Sequence, residues 1–224
     1  MAEPQKRAVR PIPKEMSPQQ VQAALEKYCR LAVSQGASGA IAVRRDWVVV
    51  DERVRLKCWI PRCPRMGETP NCPPYTPEPD KVRQALEKYS WAVLLKTDVK
   101  PVADYLPQKG ASPARRHKAL SFHAESGRIV TQVEDEAFRD GFYLALGLGG
   151  GSCKDHLCQG QVCQFLDSGR CRFPLQARPS MEALGIDVFG LVTRVGWSIY
   201  PVASQEPDPD AIPCGMSVGL VFIH

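Results

Sequence analysis

Residues Gly149–Pro174 read GGGSCKDHLCQGQVCQFLDSGRCRFP and hold four of the nine cysteines of this chain, directly after three glycines. These four, Cys153, Cys158, Cys163 and Cys171, are separated by four, four and seven residues. Inert structural thiols are usually scattered singly through a core, whereas a metal centre needs several thiolates on one short loop. The crowding therefore predicts that this loop binds a metal.

A disulfide framework is the first alternative, and the composition argues against it. A chain of 224 residues can bury a full core without covalent help. Its first residues, MAEPQKRAVRPIPKEM, are charged and proline-rich, and no apolar run approaches the roughly 18 residues of a membrane span. We therefore expect a cytoplasmic protein with reduced thiols, no membrane contact, a flexible segment over residues 1–16 and a single metal-binding domain over residues 17–224.

A second group of cysteines lies upstream, in KCWIPRCPRMGETPNCPPYTPEPD, and contains Cys58, Cys63 and Cys72. Three thiolates leave one iron of a cluster without a cysteine ligand. That position is either closed by Cys214 in the linker or left open for a substrate. Cys29 lies beside the apolar stripe of the first predicted helix and is expected to be a core residue. The pairing of ligands stays open, because in two-cluster ferredoxins the last cysteine of a motif binds the other cluster.

Iron–sulfur clusters and zinc are the two metal chemistries that this pattern allows. Structural zinc sites usually pair cysteines two to four residues apart and join the pairs by a longer spacer. Here three cysteines follow one another at four-residue intervals, with a fourth and Pro174 nearby, which is closer to a ferredoxin loop although the spacing is wider. The sequence therefore favours one or two 4Fe-4S clusters, with zinc as the alternative.

The net charge of +5 comes with basic residues around both cysteine groups rather than along one stripe. A 4Fe-4S cluster on four thiolates carries roughly 2 to 3 negative charges, so two clusters would bring the chain to about zero. An ordinary solvated basic surface explains the charge equally well. The pattern does not predict nucleic-acid binding. The basic residues concerned are Lys57, Arg62, Arg65, Lys154, Arg170, Arg172 and Arg178.

Other candidate sites have weaker signals. The glycine run is predicted to follow a helix rather than a strand, and it matches neither the dinucleotide fingerprint nor the P-loop spacing. The three glycines are instead expected to let backbone N–H groups approach sulfur. His156, inside the cysteine loop, is a candidate ligand or proton donor, although an exposed polar residue is the commoner outcome. His123 is expected to be solvated, and Glu182 and Asp187 to be helix caps.

Local patterns predict helices and strands that alternate along the chain. Hydroxyl-proline pairs indicate helix starts at Ser17, with Gln20 completing a capping box, at Thr76 and at Ser112. AIAVRRDWVVVDERVRLKCWI is typical of a strand, a turn and a second strand, and WAVLLKTDV and MSVGLVFIH of buried strands. Thr131 with Glu134 indicates a helix that runs to the glycine run. A short helix is expected to end near Gly185, before another one.

The fold class expected from these elements is α/β, with α+β also open. It would be a compact mixed sheet with flanking helices and two cysteine-rich cluster-binding loops. The helix expected from Thr76 to Tyr89, followed at once by a buried strand, is the main argument for it.

The blocks CPPYTPEP, YSWAVLL, GGGSCKDHLCQGQVC, RCRFPLQARPSMEALGIDVF and GLVFI follow one another in an order that resembles a family of predicted cysteine-rich metal-binding proteins of unknown function. The likeness covers the chain from about Arg55 onward. That family is found largely in anaerobic bacteria and archaea, which suits oxygen-sensitive clusters. The resemblance implies seven metal ligands: Cys58, Cys63, Cys72, Cys153, Cys158, Cys163 and Cys171.

These observations predict an iron–sulfur protein that passes single electrons to a redox partner protein in an accessory role. One alternative is an enzyme or sulfur carrier that uses an open iron site on the cluster of Cys58, Cys63 and Cys72. The other is a structural zinc-binding scaffold protein. The sequence has no flavin or nicotinamide motif, so electrons would have to arrive from another protein.

Overall fold

The computed structural model describes residues 11–13, 15–102, 105, 122–200, 202 and 211–224. Its strands form one four-stranded sheet in the order β1-β2-β4-β3, and all three pairings are antiparallel. The buried strands predicted from WAVLLKTDV and MSVGLVFIH are confirmed as β2 and β4. The strands are β1 (Gly39–Arg44), β2 (Trp91–Val99), β3 (Leu146–Leu148) and β4 (Gly215–Phe222).

Seven α-helices accompany the sheet within the described residues, and the predicted combination of sheet and flanking helices is confirmed. The mixed sheet that was predicted is wrong in one respect, since all three strand pairings are antiparallel. The helices are α1 (Pro18–Ser34), α2 (Glu52–Leu56), α3 (Pro79–Leu86), α4 (His123–Arg139), α5 (Cys153–His156), α6 (Gln164–Ser168) and α7 (Val188–Arg194). Two single 3₁₀ turns lie at Arg45–Trp47 and Glu182–Leu184.

The sheet is buried on both faces, which explains why β2 and β4 are nearly continuous apolar runs. On one face α1 and α4 pack against Val93 and Leu95 of β2 and against Val221 of β4. On the other face α3, α7 and the second 3₁₀ turn pack against Ala92 and Leu94. The residues that lead to both cysteine groups belong to this second layer.

The start of α1 is built as the sequence predicts. The Ser17 hydroxyl accepts a hydrogen bond from the Gln20 amide, and the Gln20 side chain accepts one from the Ser17 amide. The predicted apolar face is buried. The caps predicted near the end of the chain also form: Asp187 accepts from the Gly190 amide, and Gly185 ends the second 3₁₀ turn at a φ of 80°. The buried α1 residues are Val21, Leu25, Tyr28 and Ala32.

The predicted start of α3 is wrong. The helix begins at Pro79 rather than beside Thr76, and its N-cap residue is Glu78. The Thr76 hydroxyl instead donates to the carbonyl of Ala183 at 3.0 Å, so a tertiary contact has taken the group that local sequence offers as a cap. This contact ties the end of the first cysteine loop to the second 3₁₀ turn.

The second strand expected before Cys58 is also wrong. Residues 52–56 form helix α2, because the side chain of Asp51 accepts from the Arg53 amide at 2.8 Å and starts a helical turn. Only Val50 retains a strand-like partner, in an isolated bridge to Ile186.

The capping box predicted at Thr131 does not form, because α4 already begins at His123. The Thr131 hydroxyl donates to a carbonyl of its own helix, and Glu134 accepts from the Gly147 amide at 3.0 Å. That amide belongs to β3, a strand that sequence reasoning missed, so the glycine run follows a strand. The helix start predicted at Ser112 lies outside the described residues.

The contact between α4 and the sheet predicts a large cost for one added methyl group. A Cβ at Gly219 would overlap the Val130 side chain of α4, whereas a Cβ at Gly149 would meet no atom within 4 Å. We expect Gly219→Ala to lower the free energy of unfolding by about 1 to 3 kcal/mol through overpacking. Gly149→Ala is the matched control, expected to change it by less than about 0.5 kcal/mol. Urea denaturation followed by circular dichroism measures both, and equal effects would contradict the packing described here.

Candidate metal centre

The two cysteine groups lie on two loops that meet in space. The first loop, residues 57–78, joins α2 to α3, and the second, residues 149–181, follows β3 and contains α5 and α6. The Asn71 side chain donates to the Cys153 sulfur at 3.5 Å. The Cys72 sulfur lies 3.7 Å from the Ser152 hydroxyl oxygen. The ends of the two groups, Cys72 and Cys153, are therefore neighbours.

Two ion pairs hold these loops together. Arg65 of the first loop pairs with Asp155 of the second, with 3.0 Å between its Nε and a carboxylate oxygen. Lys154 of the second loop pairs with Glu68 of the first. Lys154 and Asp155 are both buried, so each would carry an uncompensated charge if the loops separated. The ion pairs thus fix which parts of the loops face each other.

The thiols of the two loops affect one another electrostatically. Burial raises the pKa of the Cys58 thiol, and the nearby Cys63 and Cys72 raise it further. Burial also raises the pKa of Cys153, as do Cys72 and Cys158, although hydrogen bonds from Asn71 and Thr69 lower it. A bound cation would remove the cost of placing several thiolates together, because metal ligation favours the deprotonated form.

The donor set fits a thiolate-ligated metal in a second respect. Three of the sulfurs accept hydrogen bonds from N–H groups: Cys63 from the Arg65 amide at 3.5 Å, Cys171 from the Phe173 amide at 3.3 Å, and Cys153 from a side-chain amide. Such N–H···S bonds orient metal-bound cysteines and tune iron–sulfur clusters.

All nine cysteines are free in the structure. Within the described residues, no three or more His, Cys, Asp or Glu side chains are grouped closely enough to hold a metal ion. The arrangement therefore consists of adjoining sets of thiols, and the loops would have to draw them in around a metal.

The two remaining cysteines lie apart from these loops. Cys29 packs against the core between α1, α4 and the sheet, as predicted, and burial raises its pKa to about 11. Cys214 precedes β4 and lies within electrostatic range of Tyr105. No contact between Cys214 and Cys58, Cys63 or Cys72 is found in the part of the chain that the structure describes.

A buried arginine, which the sequence analysis did not single out, holds the base of the first loop. The guanidinium of Arg55 donates to the carbonyls of Thr76 and Pro77, at 3.3 and 2.9 Å, and to the carboxylate of Glu78. It thereby joins the residue that precedes the first cysteine group to the residues that follow it. No local signal marks Arg55, because its partners lie more than twenty residues away along the chain.

The glycine run has a different role from the one predicted. A Cβ at Gly150 would lie 2.7 Å from the His123 ring, and one at Gly151 would overlap that ring. His123 is therefore packed against the run rather than solvated, and burial lowers its pKa to about 3. His156 lies against α4, where a Cβ at Gly127 would be 3.7 Å from its Nε2. Sequence reasoning could not find these contacts, because they join distant segments.

The carboxylate of Glu182 is the other functional group that the sequence misassigned. Glu182 opens the second 3₁₀ turn but does not cap it, and its Oε2 is buried without a hydrogen-bond partner among the described residues. Burial raises its pKa, and its charge is within range of Cys58.

The surface around both loops combines large apolar and basic side chains. Val162 and Leu175 are 74% and 82% exposed, and Trp59 and Ile60 of the first loop are also exposed. Trp59 and Tyr75 line a shallow depression of about 420 Å³ on the first loop. Within the described residues, Lys57, Arg62 and Arg170 form no ion pair.

The hydrogen bonds of Arg55 to Thr76, Pro77 and Glu78 predict that its substitution lowers stability strongly. Arg55→Ala leaves the carbonyls of Thr76 and Pro77 without donors, so we expect a loss of about 2 to 4 kcal/mol in the free energy of unfolding. The matched control is Arg53→Ala, whose side chain is 87% exposed and pairs with Asp51 at the surface. Its expected loss is below about 1 kcal/mol. Guanidinium denaturation measures the free energy of unfolding of both variants. An equal loss would mean that the buried hydrogen bonds of Arg55 add no stability beyond that of a surface arginine.

Comparison with known proteins agrees with a metal-binding role. Within the described residues, no helix is both long and apolar enough to cross a membrane. No curated protein and no solved structure matches the chain. A family model described as "Predicted metal-binding protein (DUF2284)" matches residues 42–223, which include both cysteine loops and the whole sheet except the first residues of β1. The chain therefore belongs to this family of predicted metal-binding proteins.

Proposed function

We propose that this protein binds one or two 4Fe-4S clusters on its two cysteine-rich loops and acts as an accessory electron-transfer protein. The observation that carries the proposal is the meeting of the two loops at Cys72 and Cys153, which makes the two cysteine groups neighbours. Thiolates are the usual ligands of such clusters, and the sulfurs here already accept N–H hydrogen bonds.

The contacts support Cys153 as the thiolate that completes the first group. Cys153 lies near Cys72 through the Asn71 and Ser152 contacts, whereas Cys214 is found near Tyr105. If Cys153 joins Cys58, Cys63 and Cys72, the second loop keeps three thiols. Seven thiolates cannot fill the eight cysteine positions of two 4Fe-4S clusters. Either there is one complete cluster, or one of the two has a position for another ligand.

When bound, a cluster would supply a site that accepts and releases single electrons. The protein's own residues would hold and shield it. The paired charges of Arg65 with Asp155 and of Lys154 with Glu68 keep the loops in contact. The N–H donors to Cys63, Cys153 and Cys171 would stabilise negative charge on sulfur and so raise the reduction potential of a bound cluster.

The surface around the loops supports transfer to a protein partner. Exposed apolar side chains such as Trp59 and Val162 give contact area, and Lys57, Arg62 and Arg170 give positive charge. Transient redox complexes have small interfaces and depend on complementary charge for fast association. We therefore propose a redox partner with an acidic docking surface.

An enzyme or sulfur carrier with an open iron site is the second candidate. The shortage of one thiolate favours it, because an iron without a fourth cysteine can bind a substrate as a Lewis acid. A zinc scaffold remains the alternative for the metal, since four thiolates also suit zinc.

The metal is tested by analysis of anaerobically purified protein. We expect a brown protein with about 4 or 8 iron and equal sulfide per chain, and an absorbance near 400 nm that fades on reduction. A colourless protein with stoichiometric zinc would exclude both the electron carrier and the open-iron enzyme.

The ligand assignment is tested by single substitutions in the same preparation. Cys153→Ala should remove about 4 iron per chain, because it takes a ligand from a cluster. Cys214→Ala should retain the iron content if it is not a ligand, and Cys29→Ala on α1 is the control for loss of a cysteine as such. If Cys214→Ala loses iron and Cys153→Ala does not, the assignment of Cys153 is wrong and Cys214 completes the first group.

A further inference from the structure

A separate, partly open pocket of about 160 Å³ lies on the sheet face that carries the second 3₁₀ turn. Most of the described residues that line it are apolar, among them Met181, Val188, Met216 and Val218. Cavities of this size accommodate a molecule such as benzene. Gly150, which belongs to the glycine run before Cys153, also lines the pocket, so it lies behind the second cysteine loop.

Besides the Tyr105 phenol, two polar side chains line this apolar pocket, and the first is Glu182. Its Oε2 is buried and has no hydrogen-bond partner among the described residues. A buried polar atom without a partner is costly, because it has given up its hydrogen bonds to water. Burial also raises the pKa of Glu182, which favours the neutral acid. A neutral carboxylic acid can both donate and accept a hydrogen bond.

The second polar group is His123, and its tautomer follows from a chain of hydrogen bonds. We assign the Ser126 hydroxyl as the donor to the carbonyl of His123 at 3.1 Å, and the Ser217 hydroxyl as the donor in its 2.6 Å contact with Ser126, because this assignment satisfies both hydroxyls. In this assignment Ser217 accepts from Nδ1–H of His123 at 2.8 Å. The Nε2 of the neutral ring is consequently left with its lone pair, as an acceptor.

From this arrangement we propose that the pocket is a binding site for a small, uncharged and mainly apolar molecule that carries one hydroxyl or amide group. The apolar walls hold the body of the ligand, Glu182 donates to its oxygen, and His123 accepts from its O–H or N–H. An anion would face the carboxyl group without a cationic partner among the lining residues described here. The proposal requires no metal and is independent of the function proposed above.

Selective ¹³C labelling of methionine methyl groups in the full-length protein gives a direct test. Met181 and Met216 line the pocket, whereas Met16 packs against the opposite core and Met66 lines the depression on the first cysteine loop. Titration with benzyl alcohol should shift the Met181 and Met216 signals to saturation and leave Met16 and Met66 unchanged. Toluene should bind more weakly, because it cannot satisfy Glu182, and benzoate should not bind.

Substitution of Glu182 separates recognition from mere filling of space. Glu182→Leu should weaken benzyl alcohol binding about tenfold, which corresponds to the loss of one hydrogen bond, and leave toluene binding unchanged. Glu182→Gln keeps a donor and an acceptor and should bind like the unmodified protein. Thermal melting of both variants verifies that they are folded before their binding is compared.

Two outcomes would overturn the proposal. One is the absence of saturating shifts at Met181 and Met216 with benzyl alcohol in the unmodified protein, which needs no variant to fold. The other is equal binding of benzyl alcohol by Glu182→Leu and by the unmodified protein, since the carboxyl group would then take no part in recognition. Shifts at Met66 instead would place binding at the surface depression.

Discussion

The pairing of β2 with β4 is the interaction on which the rest of the structure depends. It runs from Ala92 opposite Phe222 to Val99 opposite Gly215, and every residue of β4 is buried. Because both faces of this strand pair are covered, it carries two separate apolar cores. The second core holds the elements at the bases of both cysteine loops, so the loops owe their relative position to this pair.

Two partly buried ion pairs hold the cysteine loops together once the sheet has placed their bases. The buried partners Asp155 and Lys154 belong to one loop, and their counter-ions, Arg65 and Glu68, to the other. Buried ion pairs add little net stability, but separating them is costly. Such pairs suit a site that must hold one arrangement of thiols, since they penalise every alternative contact between the loops more than they reward the correct one.

The predictability of each element depends on where its partners lie in the sequence. The capping box of Ser17 and the turn at Gly185 were predictable because their groups are at most a few residues apart. The helix start predicted at Thr76 was wrong because the Thr76 hydroxyl donates to a carbonyl more than a hundred residues away. The three-residue strand β3 could not be recognised, because so short an apolar segment after a helix has no period of its own.

The candidate site shows the same division. The cysteines are visible from spacing alone, but the groups that join the two loops, such as Asn71 and Ser152, are ordinary polar residues in the sequence.

The strand β4 has a further consequence for biosynthesis. It lies between β2 and β3, so neither neighbour gains this partner until the ribosome has released residues 215–222. The loops would therefore emerge and meet the cellular pool of metal donors before the scaffold that fixes them has closed.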